Sequence, residues 1–354
     1  MGQKVNSLAR YAEQYGELPL GWAGATEKQD YLNFGDALSP VMVAAMCGMP
    51  IVRRPMKSEN VRLACVGTIG HGFEGGDVHF WGTGMSQWSN PGAKPPTPWV
   101  HPADTTLTVH ATRGPLTAAR LGEDLTKRAV PYGDPVFLLP RFFSKPVKQD
   151  VELGVIIHLS EMESRALDTG PAPHLLRYRI PESLAGKVRI INTLTAINTQ
   201  SLEDKIQEIR RCKRIVSTSL HGMVIAECYG IPCLYFSPNM GSGVVTIQTD
   251  GNDTLDLRLA DLYAGLGRKQ ITAYSRPRTQ ETDWDDLIAA IDRHWEPMTN
   301  NFDGLVESFP VNGTPLSTSN LFAEPSVNAI TFQHSVRAVH QDDARAGKER
   351  AATS

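Results

Sequence analysis

Arg214-Ile-Val-Ser-Thr-Ser-Leu-His-Gly-Met-Val-Ile-Ala-Glu-Cys-Tyr-Gly-Ile-Pro-Cys-Leu-Tyr-Phe236 decides the fold class. Arg214 to Thr218 is a short strand-forming run, and Gly222 to Tyr229 is an apolar helical stretch. Gly230 stands where a helix commonly ends in the left-handed conformation that glycine adopts without strain. Pro232 to Phe236 is the next strand. A strand, helix and strand joined this tightly make a βαβ crossover between parallel strands. His221 therefore sits where a strand ends and a helix begins, in the crevice above the sheet. The free amides of the helix start favour an anion there. Ser217, Thr218 and Ser219 add hydroxyls, and Gly222 completes the turn. The alternative reading is an ordinary N-cap cluster with a histidine that only packs.

Working outward, the same alternation recurs on both sides. Val151–Leu159 and Val188–Asn192 read as strands, Leu202–Cys212 as a helix with apolar residues at 202, 206 and 209, and Trp284–Arg293 as the last regular helix. Upstream, Arg62–Gly67, Val78–Gly82 and Leu107–Ala111 read as strands. Val41–Cys47, followed by Gly48, reads as a capped helix, and Pro115–Gly122 as a short one with proline at its start. The chain has 354 residues, more than one core usually holds. The expected fold is α/β, with two Rossmann-like domains around a central cleft: 1–140, a linker, then 151–296. Residues 297–354 form a polar extension, and the charged last dozen from His340 are expected to be disordered.

Composition excludes several classes. Hydrophobic residues make up 41% and charged residues 21%, as in soluble globular proteins. The net charge of −3 lacks the electrostatic footprint of a nucleic-acid binder. Five cysteines scattered in apolar surroundings, without CxxC spacing, read as reduced thiols of a cytoplasmic protein. The first residues lack a signal peptide's apolar core, and no run is long enough to span a bilayer. MGQKVNS misses the myristoylation pattern, because Asn6 stands where serine or threonine is required. No HExxH, GxSxG or P-loop pattern occurs, Trp81-Gly-Thr-Gly84 does not continue as GxGxxG, and the histidines show no metal-ligand spacing.

Four other positions are candidates. Arg113, in Thr112-Arg-Gly-Pro115, lies at a strand-to-helix junction, where a guanidinium clamps carboxylate or phosphate. Its alternative is a surface arginine at a sheet edge. Asp36, in Asn33-Phe-Gly-Asp36, is a site residue or the cap of the following helix. Asp134, in Tyr132-Gly-Asp-Pro135, is a site residue or a turn residue before proline. Trp81-Gly-Thr-Gly84 is a close backbone approach to ligand or a strand end needing positive φ. His71 and Glu74 fit a glycine-rich loop better than a ligand pair.

In this order, Asn33–Ser39, Trp81–Gly84, Arg113–Thr117, Gly133–Pro140, Ser217–Gly222 and Ala226 with Tyr229–Pro232 resemble the polysaccharide pyruvyl transferase family. The resemblance implies a fold similar to GT-B glycosyltransferases and transfer of a carboxyethylidene group from phosphoenolpyruvate to two hydroxyls of one sugar. The acceptor would be a lipid-linked oligosaccharide or a repeat of an exopolysaccharide or cell-wall glycan. No cofactor beyond this donor is implied, and peripheral contact with the inner membrane face suits such an acceptor. On this reading His221, Asp36 and Asp134 are catalytic, whereas Arg113, Asn33, Ser217, Thr218, Ser219 and Gly222 hold substrate. Some family members carry arginine where this chain has Ser219. The phosphate-holding cation is then sought at Arg258, Arg268 or Lys269, unless Leu257–Lys269 is a plain amphipathic helix with a solvated basic end. Two rival readings use the same fold: a nucleotide-sugar-dependent glycosyltransferase, and a non-catalytic carbohydrate-binding or assembly protein.

Overall fold

Strand runs alternating with helices build two largely parallel sheets in the computed structural model, which describes residues 6–123, 129–252 and 255–351. The first sheet holds β1 (Leu18–Gly21), β2 (Ile51–Arg53), β3 (Arg62–Ala64), β4 (Gly76–Trp81) and β5 (Thr105–Ala111), all parallel, in the order β2-β1-β3-β4-β5. The second holds β6 (Leu153–Ile157), β7 (Val188–Asn192), β8 (Ile215–Ser217), β9 (Cys233–Ser237), β10 (Gly243–Gln248) and β11 (Gln270–Ser275). Its order is β10-β11-β9-β8-β6-β7, and only edge strand β10 runs antiparallel. β6 and β9 are buried at every position, as strands covered on both faces must be. The register between β4 and β5 slips after Phe80, so Trp81 pairs with Ala111. Such an irregularity re-aims the chain where it enters a functional loop.

Helix α2 corrects the sequence reading. It runs Phe34–Cys47, starting well before the expected Val41. Asn33 is its cap, its Oδ1 accepting from Gly35 N at 3.2 Å, and Asp36 lies in the first turn rather than at the cap. Pro40 conceals this start. It has no N–H for the Asp36 carbonyl, which removes one helical hydrogen bond. Burial compensates: apart from Asp36, every residue of α2 is buried. One cluster of buried side chains continues from Leu38 and Val41 through Ile206 of α4 (Thr199–Arg210) to Val224 of α5 (Leu220–Cys228).

The segment after Pro297 returns to the first sheet. The Phe302 ring stacks on Phe137 at 4.6 Å, and Trp81 Nε1 donates to the Leu305 carbonyl at 2.9 Å. Its polar composition hides these few apolar anchors. The charged tail, expected to be disordered, forms the helix Val336–Ala351 over its described residues. Buried Asp343 fixes it, accepting from Ser58 Oγ at 2.7 Å and Asn60 Nδ2 at 2.8 Å. A single buried carboxylate with matched donors outweighs what composition predicts. All five cysteines are free thiols, and no described helix is long and apolar enough to cross a membrane.

Candidate active site

The site lies where strand ends of both sheets meet the first turns of α2 and α5. Asp36 comes from α2, Thr68 follows β3, Arg113 follows β5, His158 follows β6, and His221 opens α5 after β8. Asp134 caps the 3-10 turn Pro135–Arg141, its Oδ1 accepting from Val136 N at 3.0 Å. This leaves Oδ2 pointing elsewhere, 3.4 Å from His221 Nε2. Asp134 is fully buried and His221 nearly so, yet Oδ2 and Nε2 have no hydrogen-bond partner among the described residues.

Asp36 is the third member of this centre. Burial raises its carboxyl above the usual range, while His221 and Arg258 oppose the rise and Asp134 adds to it. A carboxyl group so placed is suited to exchanging protons rather than only carrying charge.

Two guanidinium groups face the acids. Arg113 is buried, not a surface residue at a sheet edge. Its Nη1 donates to Thr68 Oγ1 at 2.7 Å, and its Nε lies 3.4 Å from Asp261 Oδ2. Burial pulls the group's pKa down, against the pull of Asp261 and Asp134. Arg258 opens α6 (Leu257–Gly265), where the cap residue Asp256 accepts from its Nη2 at 2.6 Å. Burial alone would lower the Arg258 pKa, but the bonds from Asp256 reverse that and keep it raised. Arg258 Nη1 also lies 3.1 Å from His158 Nε2. Burial and then Arg258 push the His158 imidazole down to about 4, so it stays neutral at physiological pH.

The motif glycines explain why these side chains fit. A Cβ at Gly35 would come within 2.0 Å of His221 Nδ1, and one at Gly84 within 2.2 Å of the Arg113 guanidinium carbon. At Gly114 it would strike the Asp261 carbonyl at 1.8 Å, and at Gly222 the Ser217 hydroxyl at 2.4 Å. At Gly35, Gly84 and Gly222 a side chain from elsewhere touches the backbone, and at Gly114 the Asp261 backbone carbonyl does. Within Trp81–Gly84, the Arg113 side chain packs on Gly84, and Gly82 has the positive φ of the strand-end reading, 77°.

Other expected contacts have local duties. Ser217 Oγ accepts from Ser219 N at 2.9 Å and closes the turn. Thr218 Oγ1 accepts from His158 N at 2.8 Å, which ties the two strand ends together. Ser219 is the helix cap residue but makes no side-chain cap bond. The Asn33 side chain is engaged in capping α2. Arg268 does not join the centre: its Nη1 lies 4.0 Å from Glu227 at the far end of α5, and it sits beside the Tyr263 ring. Lys269 is exposed, next to the start of β11. Of the three cations considered, only Arg258 acts on Asp36.

Sequence reasoning missed His158, Asp256, Asp261 and Thr68. His158 carried a usable signal, since it ends an apolar strand just as Ser217 precedes His221. Asp256 showed the cap pattern before a helix. Asp261 gave none, because its partners Leu116 N, Thr117 N and Thr117 Oγ1 lie in α3 (Pro115–Arg120), remote in sequence.

Comparison with known proteins agrees with the resemblance read above. Residues 73–239 match the family model described as polysaccharide pyruvyl transferase. No curated protein and no solved structure matches the chain. The matched stretch contains Arg113, Asp134 and His221 and ends before Arg258; Asp36 precedes it. The likeness to the polysaccharide pyruvyl transferase family thus rests on residues 73–239.

Proposed function

We propose that this protein transfers a pyruvyl group from phosphoenolpyruvate to two hydroxyls of one sugar in a glycan precursor, forming a cyclic ketal. The observation that carries the reading is the buried, facing pair His221 Nε2 and Asp134 Oδ2, both without partners. Buried polar atoms are otherwise almost always hydrogen-bonded, so an unfilled pair marks where a substrate's own groups belong.

The chemistry fits the charges around that pair. The donor carries a carboxylate and a phosphate, and Arg113 and Arg258 supply one cation for each. Arg258 takes the role that an arginine at position 219 would have. His221 gives a proton to the methylene carbon, which becomes the ketal methyl. The two acceptor oxygens bond to the adjacent carbon as its bond to the phosphate oxygen breaks. One hydroxyl proton passes to Asp36 and from it to His221, restoring the acid, and the other leaves with the phosphate. Asp134, fixed by Val136 N, orients the imidazole and stabilises its charged form.

In this reading the two sheets mark Rossmann-like domains, 1–140 on the acceptor side and 151–296 on the donor side, arranged as in GT-B enzymes. The protein works in the cytoplasm and meets a lipid-linked acceptor at the inner membrane face without spanning it. Thermal unfolding with phosphoenolpyruvate, UDP-sugars and GDP-sugars tests the donor. Stabilisation by phosphoenolpyruvate alone, lost in Arg258→Ala, is the expected result. Stabilisation by a nucleotide sugar alone would favour a glycosyltransferase, and none by any of them a non-catalytic protein.

A further inference from the structure

A cavity of about 600 Å³ lies away from this centre, between edge strand β2, helix α1 (Ser7–Tyr15) and the C-terminal helix. Four arginines on or near its wall have different surroundings. Arg62, just behind it, is completely buried and donates to four backbone carbonyls, those of Ser58, Asn60, Met56 and Glu74. Arg54 donates to Tyr11 Oη at 3.1 Å and lies 3.7 Å from Asp343. Arg345 sits 3.6 Å from Asp342 in an exposed pair.

Arg53 differs from all three. Its guanidinium lies over the Trp22 ring, 4.3 Å from the centroid, with Nε and Nη1 covered and without a hydrogen-bond partner. No carboxylate pairs with it among the described residues, and burial draws it down to about 10. His334 lines the same cavity, and its Nδ1 is also covered without a partner. Burial and then the Arg53 charge push His334 down to about 4. Both groups would gain from an anion between them. The acids on this wall are otherwise engaged: Glu17 accepts from Tyr11 Oη at 2.7 Å, and Asp342 faces Arg345. The Tyr15 ring, 40% exposed and 4.6 Å from that of Tyr11, offers an aromatic face beside the uncompensated charge.

We infer that this cavity binds an anionic saccharide unit, its carboxylate or phosphate on Arg53 and His334 and its ring face on Tyr15. The saccharide rests on the pyruvyl-transfer reading, whereas the anion does not. Calorimetric titration with glucuronate, glucose 1-phosphate, inorganic phosphate and glucose tests it, on the full chain and on Arg53→Gln, Tyr15→Ala and Arg113→Gln. The expected result is that both charged sugars bind at least tenfold more tightly than glucose. That binding persists in Arg113→Gln, falls at least tenfold in Arg53→Gln, and weakens in Tyr15→Ala, while the His334 imidazole resonances shift on addition of either sugar. Charged-sugar binding unaffected by Arg53→Gln, or an unmoved His334, would overturn the site. Phosphate binding lost in Arg53→Gln, with the charged sugars no tighter than phosphate, would keep the anion and overturn the saccharide. A chain that binds charged sugars through Arg53 but releases no phosphate from phosphoenolpyruvate would leave this site standing and the transferase reading without support.

Discussion

Two buried histidines stand beside aspartates in this protein, and they are surrounded very differently. His79, on β4, is 3.6 Å from Asp77, and both of its ring nitrogens have close partners: Nε2 lies 2.9 Å from Ser7 Oγ, and Nδ1 lies 2.8 Å from His110 Nε2. The His79 and His110 rings also stack, 5.1 Å apart. His221 is 3.4 Å from Asp134, but its Nε2 and the facing Oδ2 have no partner. The first network ties helix α1 to the sheet. The second leaves two facing polar atoms unpartnered, with Arg113, Arg258 and the Asp36 carboxyl around them. Satisfied polar groups build structure; on the proposed reading, the unsatisfied pair with charges around it is where substrate binds.

That contrast breaks if the two histidines behave alike on substitution. His221→Ala should lower phosphate release from phosphoenolpyruvate by roughly 10²–10⁴-fold, the scale of a lost proton-transfer group. Its unfolding midpoint should stay near that of the parent chain, since no hydrogen bond of Nε2 is lost. Gly35→Ala comes next. A methyl carbon 2.0 Å from His221 Nδ1 must displace the ring. A shift of about 1 Å can cost roughly 10²-fold in rate, and steady-state kinetics would record it.

Arg258→Ala should weaken the donor's kcat/KM by roughly 10- to 100-fold, matching a charge-assisted hydrogen bond of about 1.5–3 kcal/mol. Arg268→Ala, at the far end of α5, should leave it unchanged. Equal effects would return the phosphate-holding role to an unassigned cation. His79→Ala reverses the pattern. It strands the polar partners of a buried ring, so chemical denaturation should show a loss of about 1–3 kcal/mol. Phosphate release per folded molecule should not change.

Much of this was legible because the motifs are local. The βαβ crossover around His221 needs only a strand, a cap and Gly230, and these appear within one short stretch. Arg113 and Asp134 likewise announce themselves at turns, through Pro115 and Pro135. What the sequence conceals is non-local. Pro40 breaks the helical pattern of α2 at the point that holds Asp36, and only burial of the whole helix reveals where it starts. Asp261 looks like any acidic residue of an amphipathic helix, yet it caps α3 and faces Arg113 across the two halves of the chain. Arg258, Arg268 and Lys269 were indistinguishable as cations. Helix α6 separates them, placing Arg258 at its start beside the strand ends and the other two beyond its end.

The central claim is that His221 delivers a proton to the donor's methylene carbon. The most direct test is to run the reaction in D2O with phosphoenolpyruvate and a glycan acceptor, following phosphate and the ketal methyl together by NMR. The expected outcome is one phosphate per ketal, a methyl carrying a single deuterium, and both signals reduced together in His221→Ala. Phosphate and ketal formed at the parent rate by that variant, or a ketal methyl free of deuterium, would contradict it.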